Sequence, residues 1–337
     1  MAVEVRKKRL RLRYLLARLG ALLPVLKRAC VVAGRVLDRV APFVFLLVIS
    51  AGLAKVRPHF LSSDNLLTMV RQYAVIIVLA IGQTMLMISG AIDLSVGSVL
   101  ALSTVTAALL HGAGANAAVV GIGALATACG AELVNGLVTT KAGVPPFIAT
   151  LGMMGMARGL ALILSGAITR PIPAVYGRIG VHTWFFASCV VAVAAAAYIV
   201  LARTAFGRHT YALGGNREAA RLSGVNVDRH TIKVFVINGL VVGIASILLL
   251  ARLGVASPTS GELYELDSIA AAVIGGTSLF GGQGTIGGSI IGSTIMAVLR
   301  NGCHLLGVED HWQKFAIGAM TILAVFYDGL RRRRRRL

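Results

Sequence analysis

At 337 residues, 57% hydrophobic and 14% charged, with a mean hydropathy of +0.82, the chain carries more apolar surface than a water-soluble domain can bury; such domains average about 25% charged residues. The net charge of +20 is gathered in clusters separated by almost uncharged stretches, as in positive-inside loops flanking membrane spans, and this argues against a nucleic-acid-binding face. Four dispersed cysteines (Cys30, Cys129, Cys189, Cys303) and the lack of Cys-x-x-Cys or His-Glu-x-x-His spacing argue against a disulfide framework, and no metal site is expected.

Residues 1–36 read as a basic cytoplasmic segment. Leu and Val alternate with Arg and Lys at roughly helical spacing from Arg11 to Arg39, which fits either an amphipathic helix on anionic lipid or a disordered tail. Lys27, Arg28 and Arg35 interrupt any apolar run, so no cleavable signal is expected.

A transmembrane domain follows over 37–330. A span needs about 20 apolar residues, and ten candidates lie near 37–54, 66–89, 95–112, 117–139, 146–167, 182–202, 231–253, 267–281, 284–302 and 311–330. The expected fold is an all-α membrane protein of about ten transmembrane helices, some broken or re-entrant. Ten spans put both termini on one side. If that side is the cytoplasm, the inner stretches together with Arg39 at the start of the first span hold 24 of the 33 basic residues and the outer stretches seven; both termini are therefore expected inside. The last residues, 331–337, form a polybasic cytoplasmic tail.

Several polar residues fall in or beside these spans. Asp93, flanked by Gly90 and Gly97, is expected either to line a solute path near a helix break or to sit solvated at the cytoplasmic end of the second span. Gln83, Ser95, Glu132, Asn135 and Asn238 could line the same path, Glu132 and Asn135 sharing one helical face; interhelical hydrogen bonding is the plainer reading of each. Arg158 sits in Gly155-x-x-x-Gly159, a spacing that suits close helix approach, and is expected to pair with Glu132 or to snorkel.

The longest polar interruption is 203–230. Within it Asn216 is a good N-cap, Glu218 lies in the first turn and Gly224 is a natural stop, so a helix of about two turns is predicted. Ala219, Ala220 and Leu222 offer small or apolar groups to a partner. Further on, Gly282-Gln283-Gly284-Thr285-Ile286-Gly287 matches a dinucleotide fingerprint but lies between membrane spans with no acidic residue about 20 positions on. A broken, glycine-rich segment is expected instead, with Gly275, Gly276, Gly282 and Gly284 as hinge positions beside Gly90 and Gly97.

Glu218-Ala219-Ala220-x-x-x-Gly224 resembles the cytoplasmic loop of binding-protein-dependent ABC permeases, without the Leu-Pro pair that usually follows. Ile92 to Ser98, Phe147 to Leu151 with Arg158-Gly159, and Tyr264-Glu265-Leu266-Asp267 through Gly275 to Leu279 resemble ribose- and xylose-type monosaccharide permeases over roughly residues 40–330. Leu263 stands where that resemblance predicts a small residue, and Gln283 where a Lys is common. The resemblance implies a transport subunit rather than an enzyme, in a bacterial inner membrane. It implies coupling to an ATPase through Asn216, Arg217, Glu218, Ala219, Ala220, Arg221 and Gly224. It implies as partners a separate ATPase that binds ATP and Mg, an extracytoplasmic sugar-binding protein and a second permease copy or paralogue. No P-loop and no nucleophile–base set occurs in the sequence. The alternatives are a proton-coupled transporter using Asp93 and Glu132, and a membrane scaffold.

Overall fold

The computed structural model describes residues 40–309 and, beyond them, 311–313, 315–319, 322, 323, 325, 326 and 329. The predicted basic N-terminal segment and polybasic tail lie outside the described residues. The chain divides into two units, one ending at Val44 and one starting at Phe45; of the first, residues 40–44 are described, as the opening of helix α1 (Val40–Val56).

In the second unit a single 3-10 turn (Pro58–Leu61) leads into α2 (Ser63–Ile88), α3 (Val96–Gly112), α4 (Ala117–Lys141) and α5 (Pro146–Ser165). Then come strand β1 (Arg170–Pro171), α6 (Ala174–Gly180), α7 (Thr183–Arg203), α8 (Ala205–Gly215), α9 (Arg217–Leu222) and α10 (Val227–Leu253). Strand β2 (Val255–Ala256), α11 (Tyr264–Ile274) and α12 (Ile286–Leu305) follow. The starts are written in the sequence: Ser62, Asn116, Asn216, Asn226 and Thr285 each accept a bond from a first-turn amide. Pro146 opens α5 where its missing N–H costs nothing, and Gly166, at φ 67°, closes it.

Helical residues stand at each of the ten predicted segments. Among the described residues five helices, α2, α4, α5, α7 and α10, are long and apolar enough to cross a membrane; α1 and α3 are apolar but shorter. Where a span over 267–281 was predicted, α11 has only 11 residues, a rise of about 16 Å. The chain then runs as a loop to α12.

α10 lies at the centre, packed on α4, α2 and α3, while α2 also meets α7, α11 and α12. Gly239 and Gly243 set the α10–α4 distance. A Cβ on them would come 2.8 Å from Cys129 Cα and 2.7 Å from Leu125 Cδ2, so only small residues permit this approach. Gly155 and Gly159, where close approach was predicted, have nothing within 4 Å. The reason is that α5 turns its large residues outward, with Met156 and Ile163 exposed. On the other end of α5, β1 pairs antiparallel with β2 (Arg170 opposite Ala256, Pro171 opposite Val255) and ties the segment after α5 to the one after α10.

Candidate functional site

Six side chains predicted to line a path come together. Asn238 lies 11 residues into α10 and Glu132 nine residues before the end of α4, about 17 Å and 14 Å along those axes. For helices that span a hydrocarbon layer of about 30 Å, that is close to the midplane. Asp93 reaches the same level because the chain turns back after α2. The turn is made at Gly90, whose φ of 86° suits glycine alone, and residues 89–95 run back along α2 until Gln83 spans the Asp93 peptide. With its amide oriented to suit both neighbours, Gln83 donates to the Asp93 carbonyl at 3.3 Å and accepts from its N–H at 3.1 Å. Gly97, a predicted hinge, lies inside α3 instead; the break precedes it, and Gly97 allows Gly261 to approach.

The Asp93 carboxylate is fully buried. Its Oδ1 accepts from the Ser95 N–H (2.7 Å) and hydroxyl (2.6 Å), and its Oδ2 accepts from Asn238 Nδ2 (2.9 Å). Asn135 Nδ2 donates to Ser95 Oγ at 3.0 Å and to Glu132 Oε2 at 3.3 Å. The solvated position considered for Asp93 is thereby ruled out: two donors from Ser95, just before α3, and one from Asn238 of α10 take the place of water. Glu132 Oε1 and Asn238 Oδ1 are buried and have no partner among the described residues. A proton on Glu132 Oε1 would turn it into a donor, which Asn238 Oδ1, an acceptor, lacks. Arg158, considered as a partner for Glu132, donates instead to the Pro258 (2.5 Å) and Ser260 (3.0 Å) carbonyls. It thus holds the segment before α11, where Leu263 takes a left-handed conformation (φ 66°). Among the small residues that the resemblance leads one to expect there, glycine would adopt it without strain.

The predicted polar helix is present as α9, six residues capped by Asn216 Oδ1 on the Ala219 N–H at 3.0 Å. Gly224, at φ 85°, ends the turn that follows. Glu218 and Arg221 stand exposed 3.8 Å apart. Of the residues expected to face a partner, Leu222 is 87% exposed but Ala220 is 4% exposed and points into the protein.

Beneath α9 lies a junction the sequence reading missed. Gly282 N–H donates to the Ile88 carbonyl (2.8 Å), and Tyr211 of α8 donates to the Gly284 carbonyl (2.8 Å). Gly214, at the end of α8, is pressed so closely on both that a Cβ there would overlap the Ile88 carbonyl oxygen and the Gly282 nitrogen. A Cβ on Gly281 would meet Gly214 O at 2.7 Å. The support of α9 therefore touches both interruptions in the helices: the return after α2 and the loop after α11, where Gly276 and Gly282 have φ of 89° and 73°. Gly275 caps α11 against Gly288, and Gly284 lies against Thr277. The adjacent glycines 214–215 and 281–282 were the available signal: the first pair lies inside α8, where no turn calls for glycine, and the second, at φ 86° and 73°, faces it.

Residues 65–325 match the family described as branched-chain amino acid transport system / permease component. The chain belongs to this family. The ribose import permease protein of Escherichia coli K12 is 40% identical to this permease over 296 residues, covering 84% of this chain and 91% of that one. The ribose import permease protein of Bacillus subtilis 168 is 37% identical over 302 residues, 87% and 93% of the two chains. The xylose transport system permease protein of E. coli K12 is 36% identical over 344 residues, 82% and 87%. No solved structure matches this permease.

Proposed function

We propose that this permease is the membrane subunit of an ATP-driven importer in a bacterial inner membrane, moving a monosaccharide or related polyol. In this reading ten spans cross with both termini inside, and two such subunits, identical or paralogous, enclose the path. A binding protein delivers solute on the outer side. A separate ATPase holds ATP and Mg and works on α9. The observation that carries the reading is the backbone junction of α8 with both helix breaks: displacement of α9 moves Gly214, and Gly214 cannot move without the Ile88 and Gly282 peptides. The kinship with ribose and xylose permeases supports the solute class.

The midplane cluster serves here as a brace, clamping the return after α2 to α4 and α10, because its members bond one another and are almost wholly buried. The two buried carboxyl groups favour a second reading, in which Glu132 and Asp93 relay protons.

One reconstitution separates the two. The permease is placed in proteoliposomes with its ATPase and binding protein, and ribose, xylose and allose uptake is measured with and without an uncoupler. Uptake that needs ATP, resists the uncoupler and is lost in Glu218→Lys, with the complex still assembled, is expected. Uptake by the permease alone that collapses with the uncoupler establishes the proton reading. Unimpaired uptake in the assembled Glu218→Lys complex removes the coupling role of α9.

A further inference from the structure

At the end of α2 farthest from Ile88, and so opposite α9, a cavity of 430 Å³ opens between the start of α2 and the end of α12. Its volume is within the range of about 300–1,000 Å³ for small-molecule sites. The wall mixes apolar surface with polar groups: Asp64, Thr68 and Gln72 from α2 and Arg300, Asn301 and His304 from α12. Two pairings hold that wall still. Asn65 and Asn301 exchange amide hydrogen bonds of 3.0 and 2.8 Å across the two helices. Arg300 places one nitrogen 2.8 Å from both oxygens of the buried Asp267.

Tyr73 also lines the cavity and is 9% exposed. Its hydroxyl makes no hydrogen bond among the described residues and is reachable by solvent rather than sealed in the core. The site therefore offers an unused donor and acceptor next to amides, a carboxylate and a hydroxyl. Its guanidinium is already neutralised by Asp267, which suits neutral hydroxyl groups better than a phosphate.

We infer that this cavity is an outward-facing site that receives a neutral, hydroxyl-rich solute before it moves inward, with Tyr73 bonding one of its hydroxyls. The inference rests on the import reading for its direction, and its chemistry can be tested separately. Thr68→Cys is introduced into a chain whose native cysteines are replaced by serine, and the chain is reconstituted with ATPase and binding protein. Its modification by a small hydrophilic thiol reagent is then followed with ribose, xylose or allose present. At least one sugar should slow modification. Adding Tyr73→Phe should raise the concentration for half-protection about fivefold, the effect of one lost neutral hydrogen bond. Absence of protection by a sugar that is still imported overturns the cavity site and leaves the import reading standing. Protection without any import supports the site and overturns the import reading; absence of both overturns both. Modification governed by added phosphatidylglycerol and indifferent to sugars makes the cavity a lipid headgroup site and overturns the proposal.

Discussion

The Asp93 carboxylate accepts three hydrogen bonds where no water reaches it. A single interhelical hydrogen bond in a membrane protein averages only about 0.6 kcal/mol, so loss of one neighbour is a small effect. Loss of the acceptor itself strands the Ser95 N–H, the Ser95 hydroxyl and the Asn238 amide together. Asp93→Ala is expected to destabilise the permease by about 3 kcal/mol, the scale for breaking a buried polar group's network. Thermal unfolding in detergent should show a clearly lower midpoint. Glu132→Gln should cost less than about 1 kcal/mol, because the new amide keeps an oxygen for Asn135 and gives the Asn238 oxygen a donor. If Glu132→Gln proves as damaging as Asp93→Ala, an ionised Glu132 is required and the brace reading fails. The cluster's membership was legible in the sequence because polar residues are rare in these spans and few alternatives existed. Its pattern of bonds was not: Asp93 and Asn238 are 145 positions apart, and no local period records which donor meets which oxygen.

Between residues and fold stand the broken elements. α9 could be read from its cap, its first-turn Glu218 and its Gly224 stop, because capping is a local property of the chain. The loop after α11 could be read from its glycines. What joins them was marked only by the glycine pairs 214–215 and 281–282, since backbone packing on glycine leaves no side chain to name the partner. Gly214→Ala puts a methyl group into the Ile88 carbonyl oxygen and the Gly282 nitrogen, and something must shift. A coupling junction predicts a distinctive failure: the complex assembles and hydrolyses ATP, while uptake per ATP falls at least tenfold, a change of about 1.4 kcal/mol or more in the coupled step. Gly152→Ala, which has nothing within 4 Å, is the control and should transport normally. Equal uptake per ATP in Gly214→Ala and the control would show that α8 transmits nothing through this contact.

For the molecule as a whole, similar apolar composition hides a division of labour. Of the most apolar 18 residues, 61% are buried in the protein in α2 and 72% in α10, against 22–28% in α4, α5 and α7. The first two are core, and the other three expose residues such as Ile122, Ile163 and Val191, as lipid contact requires. Hydropathy registers each helix as apolar and does not register the solvent, since lipid tails and a protein core are equally apolar. Orientation is a different matter, because charge records it. The loop at 113–116 has no basic residue, whereas 203–233 has six, and α4, α5 and α7, all long enough to cross, separate the two. If all three cross, these stretches lie on opposite faces, and the proposed orientation, with the second stretch in the cytoplasm, is the one the positive-inside bias favours. Ala113 and Ser223 are both exposed. In right-side-out vesicles, a membrane-impermeant thiol reagent should modify Ala113→Cys and spare Ser223→Cys until the vesicles are opened. The reverse labelling would turn the molecule over, placing α9 outside and the cavity beside Tyr73 inside. Labelling of both positions in sealed vesicles would mean that one of the three helices does not cross.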